Sequence, residues 1–525
     1  MNSHPSTQWQ DELAELDMRR ASAARMGGDE AVAKAHQLGK LTARERLAYL
    51  ADPGSMRELG GLAGKGHYDE QGQLKSFTPS NHVLGLAKIE GRRSVVIADD
   101  FTIRGGSSEA AVAEKWIYAE RYANEYKLPL VRMVDTAGGS VKLLQQMGYT
   151  KIPGYSLLPS ATLLGLVPVV AIAMGACAGL GAIRVGTSHF SIMVRGKSQV
   201  FAAGPPVVKQ ALGIDIGKEE LGGYGIHKIS GAVNNAAETE EEAMDMARRF
   251  LSYLPANVWE QPPRCESKDD PNRQEPWLND AIPRDRRKIF DPHKIVKAIF
   301  DADSVFEISP HYGGSLITCL ARLNGHPVGV LTNNPKVMGG ALTCAAARKL
   351  ERFVDLCDTF HLPVVNLMDQ PGTMTGVEAE RIGTMTAALR ASAAIEQSSI
   401  PWIAIVVRRC FGLAGGMISP WVGPSGTAIP HRFAWPSARW GSIPIEGGVA
   451  AAYKREIESA DDPDTLRQEL EHKYHRIGSP FRSAERFGVV DIIEPATTRA
   501  LLCDWVEDAY RHTARSLGPK GRAMR

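Results

Sequence analysis

Two apolar runs dominate the hydropathy pattern. One is LLGLVPVVAIAMGACAGLGAI, residues 163–183, and the other is IPWIAIVV, residues 400–407. Neither alternates with polar residues, so each predicts a strand covered on both faces rather than one with a solvent side. Each leads into a glycine phrase, CAGLGA at 177–182 and CFGLAGG at 410–416. Helix-like patterns lie upstream of the two runs, EAAVAEKWIYAERYA at 109–123 and CAAARKLERFVDLCDTF at 344–360. Short buried strands alternating with helices predict an α/β fold built of βαβ units around a parallel sheet. The first run is long enough to span a membrane. Its glycines and Pro168 predict instead a buried strand that ends in a glycine turn, and no membrane segment.

The pattern occurs twice. Asp135 closes LPLVRMVD and Asp369 closes LPVVNLMD, 234 residues later. Gly91 and Gly325, and Gly105 and Gly339, are separated by the same 234 residues; Pro168 and Pro401, and Cys177 and Cys410, by 233. Landmarks in one order at one spacing imply two homologous halves, and the period is far too long for a solenoid. We therefore expect two domains, 1–265 and 266–525. The charged, proline-rich stretch QPPRCESKDDPNRQEPWLNDAIPRDRRK, at 261–288, is expected to be the connection.

Composition narrows the function. A net charge of +2 over 525 residues argues against nucleic acid as a partner. Seven cysteines without a CxxC pair argue against a disulfide framework or a zinc site and fit a cytoplasmic protein. The N-terminal residues lack the apolar core of a secretion signal. RGKS at 195–198 lacks the leading glycine of a phosphate loop, and GxGxxG, GxSxG and HExxH are all absent. No metal is expected.

What remains are the two glycine turns at the carboxyl ends of central strands, where parallel α/β proteins bind ligands. If helices follow, their first N–H groups are unpaired and could hold a developing oxyanion. The same glycines could simply permit close packing, and residue types alone leave both readings open. Asp135 and Asp369 are read as residues that pin loops.

Several segments resemble the carboxyltransferase (β) subunits of biotin-dependent acyl-CoA carboxylases, propionyl-CoA carboxylase type. They are GKLTARERLAYLADPGSMRELG (39–60), MGACAGLGA (174–182), SQVFAAGPPVVKQALG (198–213), ELGG (220–223), VVRRCFGLAGGM (406–417) and FAWPSARWGS (433–442). The resemblance runs from about residue 10 to the end of the chain. It implies two crotonase-like (ββα superhelix) domains in tandem, the first binding acyl-CoA and the second carboxybiotin. It also implies a hexamer with shared active sites. In the implied reaction the carboxyl group leaves carboxybiotin, the freed biotin nitrogen takes the α-proton, and the thioester enolate captures CO₂.

By the same resemblance, one oxyanion hole maps to the backbone at Gly179 and Leu180 and the other to Leu413 and Ala414. Gly138, Gly139, Gly181, Ala182, Gly415 and Gly416 become substrate-binding positions. The family has Gly-Gly where this chain has Gly179-Leu180, and Gly-Ala where it has Leu413-Ala414. A leucine fits there only if φ is negative. Short-chain members often carry Asp where this chain has Gly416, which implies room for a longer or branched acyl group. No Met-Lys-Met biotin acceptor is present. Biotin is therefore expected on a separate carrier or α-subunit that also supplies biotin carboxylase. Arg184, Lys197 and Lys209 are candidates for the CoA phosphates. Three other outcomes stay open: a decarboxylase carboxyltransferase, a biotin-independent tandem hydratase or isomerase using Glu219 or Glu220, and an inactive scaffold.

Overall fold

The computed structural model describes residues 8–107, 112–142, 145, 148–149, 160–285, 288–420 and 429–525. Its contacts divide the chain into two compact units between Ser252 and Tyr253, a little before the expected 265/266 boundary.

Unit 1 holds an eight-stranded sheet. Its strands are β1 (Arg57–Leu59), β2 (His82–Ile89), β3 (Arg92–Asp99), β4 (Leu130–Thr136), β5 (Val169–Ala178), β6 (Phe190–Val194), β7 (Gln199–Phe201) and β8 (Asn235–Ala237). They run in the order β1-β2-β3-β4-β5-β6-β8, with β7 on the end of β5. The first three are antiparallel and the rest parallel.

Unit 2 repeats this sheet with β9 (Phe306–Glu307), β10 (Leu316–Leu323), β11 (His326–Asn333), β12 (Val364–Gln370), β13 (Trp402–Phe411), β14 (His431–Ala434), β15 (Arg439–Gly441) and β16 (Asp491–Ile492). Order and polarity match strand for strand. The strand predicted in 163–183 is β5, and its residues are almost all buried, as a two-sided strand requires.

The duplication extends to backbone angles. The β2–β3 hairpin turns on Glu90 (φ 50°) and Gly91 (φ 78°), and the β10–β11 hairpin on Asn324 (φ 49°) and Gly325 (φ 80°). Two positive φ values make the tight turn that matches strand twist. An aspartate carboxylate holds both N–H groups of each turn, Asp52 at 2.9 and 2.8 Å and Asp301 at 3.1 and 2.8 Å. The register between central strands breaks around Asp135 in unit 1 and around Asp369 in unit 2. Such bulges re-aim side chains at strand ends.

The helix predicted at 109–123 begins at Ala113; residues 109–111 lie outside the described residues. The helix predicted at 344–360 spans Cys344–Thr359. The stretch 261–288 is not a free connection. Leu278 is in the unit 2 core, and Cys265 and Glu275 donate backbone hydrogen bonds to Gly325 and Ala496. Its proline and charge content hid the apolar anchor at Leu278.

Candidate active site

In each unit the long central strand runs into a glycine turn and a short helix. In unit 1, β5 leads through Gly179 into α1 (Leu180–Gly186); in unit 2, β13 leads into α2 (Gly412–Gly416). Gly179 has φ 56° and Gly412 φ 64°, angles that a side chain disfavours by about 1–2 kcal/mol. Leu180 and Leu413 follow those glycines in helical conformation with ordinary negative φ. The two leucines are therefore compatible with the turns, and the strain falls on residues that are glycine here.

At the unit 1 turn, the Gly179 N–H donates to the Phe201 carbonyl at 3.1 Å and is already occupied. The open donors begin at Leu180 and Gly181, at the start of α1. This alters the expected pair of Gly179 and Leu180. Gly138 and Gly181 are brought to the turn. A Cβ on Gly138 would lie 3.1 Å from that of Ala178, and one on Gly181 would lie 2.5 Å from the Thr136 methyl. Ala182 packs beneath, against Val134 and Cys177, while Gly139 is exposed on the loop. At the unit 2 turn, Ala414 and Gly415 are buried against β13, Leu413 is 44 % exposed, and the face of Gly416 is open. Burial pushes the Cys177 thiol well up and the Cys410 thiol up to about 12. Neither thiol is a nucleophile at neutral pH.

Asp135 and Asp369 are expected to pin loops; among the described residues their carboxylates instead meet cations, and different ones in each unit. Asp135 meets Lys40 (3.1 Å) and Arg46 (3.3 Å), and Arg46 also grips Glu240 at 2.9 and 2.8 Å. Lys40 and Arg46 come from the segment that includes helix α3 (Ala43–Leu50). Asp369 is held by its neighbouring strand instead. Arg408 reaches it at 3.0 and 2.8 Å, and Arg409 at 2.6 and 2.9 Å. Four exchanges account for the difference: Lys40 and Arg46 stand where unit 2 has Ile289 and Ile295, and Arg408 and Arg409 stand where unit 1 has Gly175 and Ala176. The place of Arg408 is taken in unit 1 by Gly175, where a Cβ would sit 2.0 Å from the Asp135 carboxylate. The place of Arg46 is taken in unit 2 by Ile295, on α4 (Pro292–Ile299), a helix of the same eight-residue length that also ends two residues before its hairpin-capping aspartate.

A cavity of about 370 Å³ opens above the strand ends of unit 1. Lys34, Lys40, Arg46, Arg104, Phe101 and Asp135 are among the residues around it. Among the described residues, the Lys34 and Arg104 side chains have no acidic partner. Sequence reasoning did not single out these two cations; it offers Arg184, Lys197 and Lys209 as candidates without choosing among them. In the structure Arg184 is buried on Asp99 at 2.9 Å, Lys197 caps the Gly39 carbonyl, and Lys209 pairs with Asp215 at 2.7 Å. The 234-residue spacing held a clue, since Arg104 stands opposite Met338. Glu219 accepts from Gln199 at 3.1 Å, and His189 and His227 bond backbone carbonyls. Among the described residues, no helix is long and apolar enough to cross a membrane.

Comparison with known proteins places this geometry. The carboxyl transferase domain family matches residues 34–524. The chain is 33% identical over 496 residues to the propionyl-CoA carboxylase carboxyltransferase subunit of Haloferax mediterranei, covering 93% of this chain and 94% of that one. It is 31% identical to the methylmalonyl-CoA decarboxylase α subunit of Veillonella parvula, with the same coverage. The fold matches a crystal structure of transcarboxylase 12S, described as a hexamer assembly with methylmalonyl-coenzyme A and methylmalonic acid bound. There the TM-score is 0.86 at 29% identity, over 100% of this chain and 99% of that one. With two crotonase-like units in tandem and a family match over nearly its whole length, the chain belongs to the carboxyl transferase family and is an enzyme of the acyl-CoA carboxylase carboxyltransferase type.

Proposed function

We propose that this enzyme moves a carboxyl group between biotin on a separate carrier and the α-carbon of an acyl-CoA, with the acyl-CoA on unit 1 and carboxybiotin on unit 2. The observation that carries the assignment is the pair of cations Lys34 and Arg104 at the unit 1 cavity, whose side chains have no acidic partner among the described residues. Lys40 and Arg46 also line the cavity but are balanced by Asp135 and Glu240. Arg104 stands where unit 2 has Met338. Unbalanced cations open to a cavity suit a phosphate-rich nucleotide.

In this reading the Leu180 and Gly181 N–H groups receive the thioester oxygen as the enolate forms, and those at Leu413 and Ala414 receive the biotin ureido oxygen. Gly138 and Gly139 on the loop, with Ala182 behind the turn, shape the acyl-CoA side. Gly415 and Gly416 shape the other side, where the face of Gly416 is open. Biotin supplies the carboxyl group and, once free, the base. This fits a site where the described thiols are pushed up and Glu219 is committed to Gln199. The partner is a biotin carboxylase and carrier α-subunit, and the partner that recharges the carrier sets the direction. Seven free cysteines suit a cytoplasmic location. A hexamer is proposed from the 12S likeness and from exposed apolar side chains such as Ile229 and Phe487.

The test is biotin-dependent loss of CO₂ from a panel of malonyl-type CoA esters, first with free biotin and then with a biotinylated carrier domain. Turnover on one ester establishes the reaction and names the acyl group. No turnover on any ester with the carrier supplied refutes the reading.

A further inference from the structure

The two buried carboxylate clusters differ in net charge. In unit 1, Lys40 and Arg46 face Asp135 and Glu240, two cations for two anions. In unit 2, Arg408 and Arg409 share Asp369 alone, and among the described residues neither guanidinium meets a second carboxylate. The cluster therefore keeps one positive charge in excess.

The two arginines divide the work. Arg408 is buried; it also donates to the Lys288 carbonyl at 3.1 Å and lies 4.7 Å from the centre of the Phe290 ring. Its role is packing. Arg409 is 27% exposed, donates to the Gly339 carbonyl at 2.8 Å, and sits three residues before Gly412 on the strand that becomes the second turn. The excess charge thus reaches solvent at the mouth of that turn. Its counterpart in unit 1 is Ala176, which has no charge to offer. Across the ladder Arg409 faces Arg439, where Ala176 faces Gln199.

We propose that Arg409 is an electrostatic positioning residue for the unit 2 site: its uncompensated charge attracts the carboxylate of the carboxylated biotin and favours negative charge on the oxygen held at the Leu413–Ala414 turn. The proposal rests on the carboxyltransferase reading and adds to the backbone donors a side chain that this reading did not use. A unit charge about 10 Å away through partly exposed protein is worth roughly a tenfold effect on an anionic state. Screening by salt should weaken it.

The experiment compares wild type, R409Q and R409K in biotin-dependent decarboxylation of the ester that the wild type accepts. Thermal stability and the Kd for that ester are measured in parallel. The expected result is a kcat/KM for biotin lower by about tenfold or more in R409Q, with the ester Kd unchanged. R409K should recover most of the loss, because lysine keeps the charge while giving up the fork on Asp369 and Gly339. Wild-type turnover in R409Q overturns the proposal. So does an R409K as impaired as R409Q, which would make the fork, not the charge, the cause. If R409Q does not fold, R409K alone decides: near-complete activity supports the proposal and a tenfold loss overturns it. A wild-type chain with no biotin-dependent turnover, even with the carrier, overturns the carboxyltransferase reading and this proposal with it, a result visible before any variant is made.

Discussion

Replacing Arg46 with methionine isolates the charge cluster under the unit 1 site. The guanidinium grips both oxygens of Glu240 and reaches Asp135, and all three side chains are within 2% of complete burial. Methionine fills much of the volume but leaves Glu240 with only the Leu41 N–H, at 3.2 Å. Asp135 keeps Lys40. Removing one partner of a buried ion pair costs about 3–5 kcal/mol, because the remaining charge stays desolvated. R46M should lose that much in urea unfolding followed by circular dichroism. R46M/E240Q removes the stranded charge as well and should regain about 2 kcal/mol of the loss. A loss under about 1 kcal/mol, or a double variant no more stable than R46M, would refute the view that this arginine neutralises two buried carboxylates.

Three further outcomes follow from the geometry. Ala414→Pro deletes one N–H at the second turn and should lower carboxyl transfer about 100–1000-fold while the acyl-CoA Kd, measured by titration calorimetry, stays at the wild-type value. Arg104→Met installs the unit 2 residue in the unit 1 cavity; the acyl-CoA Kd should rise several-fold, roughly 1 kcal/mol, and unchanged binding would remove the cavity from the CoA site. Lys349 is buried and its ammonium pKa falls from 10.5 to about 8, with burial the main cause. Between those values the unfolded chain binds the extra proton, so the stability of wild type relative to Lys349→Met should rise with pH by about 3 kcal/mol, measured by urea unfolding across that window.

Much of this was legible in the sequence because duplication writes each feature twice. The paired apolar strands, the Asp at the strand end and the glycine after it all lie where hydropathy and spacing placed them. The chemistry around the turns was less legible, because it depends on contacts distant in sequence. Nothing local says that the Gly179 N–H is taken by Phe201, across a strand pair 22 residues away. Nothing local separates Arg184, buried on Asp99, from Arg104, open to the cavity. The stretch 261–288 reads as a linker because composition weighs its prolines and charges above the single leucine that anchors it.

The exchange of Gly175 and Arg46 in one half for Arg408 and Ile295 in the other has a consequence for how the halves can change. Neither position can be converted alone. An arginine at 175 would collide with Asp135 while Arg46 is still present, and an isoleucine at 46 would leave Glu240 stranded while 175 is still glycine. A direct exchange at either position, with the rest of the cluster unchanged, passes through a chain with a crowded or an uncompensated carboxylate. Each arrangement thus depends on a pair of positions distant in sequence. Transplanting a central strand from one half into the other should fail unless the helix that carries its counter-charge moves with it.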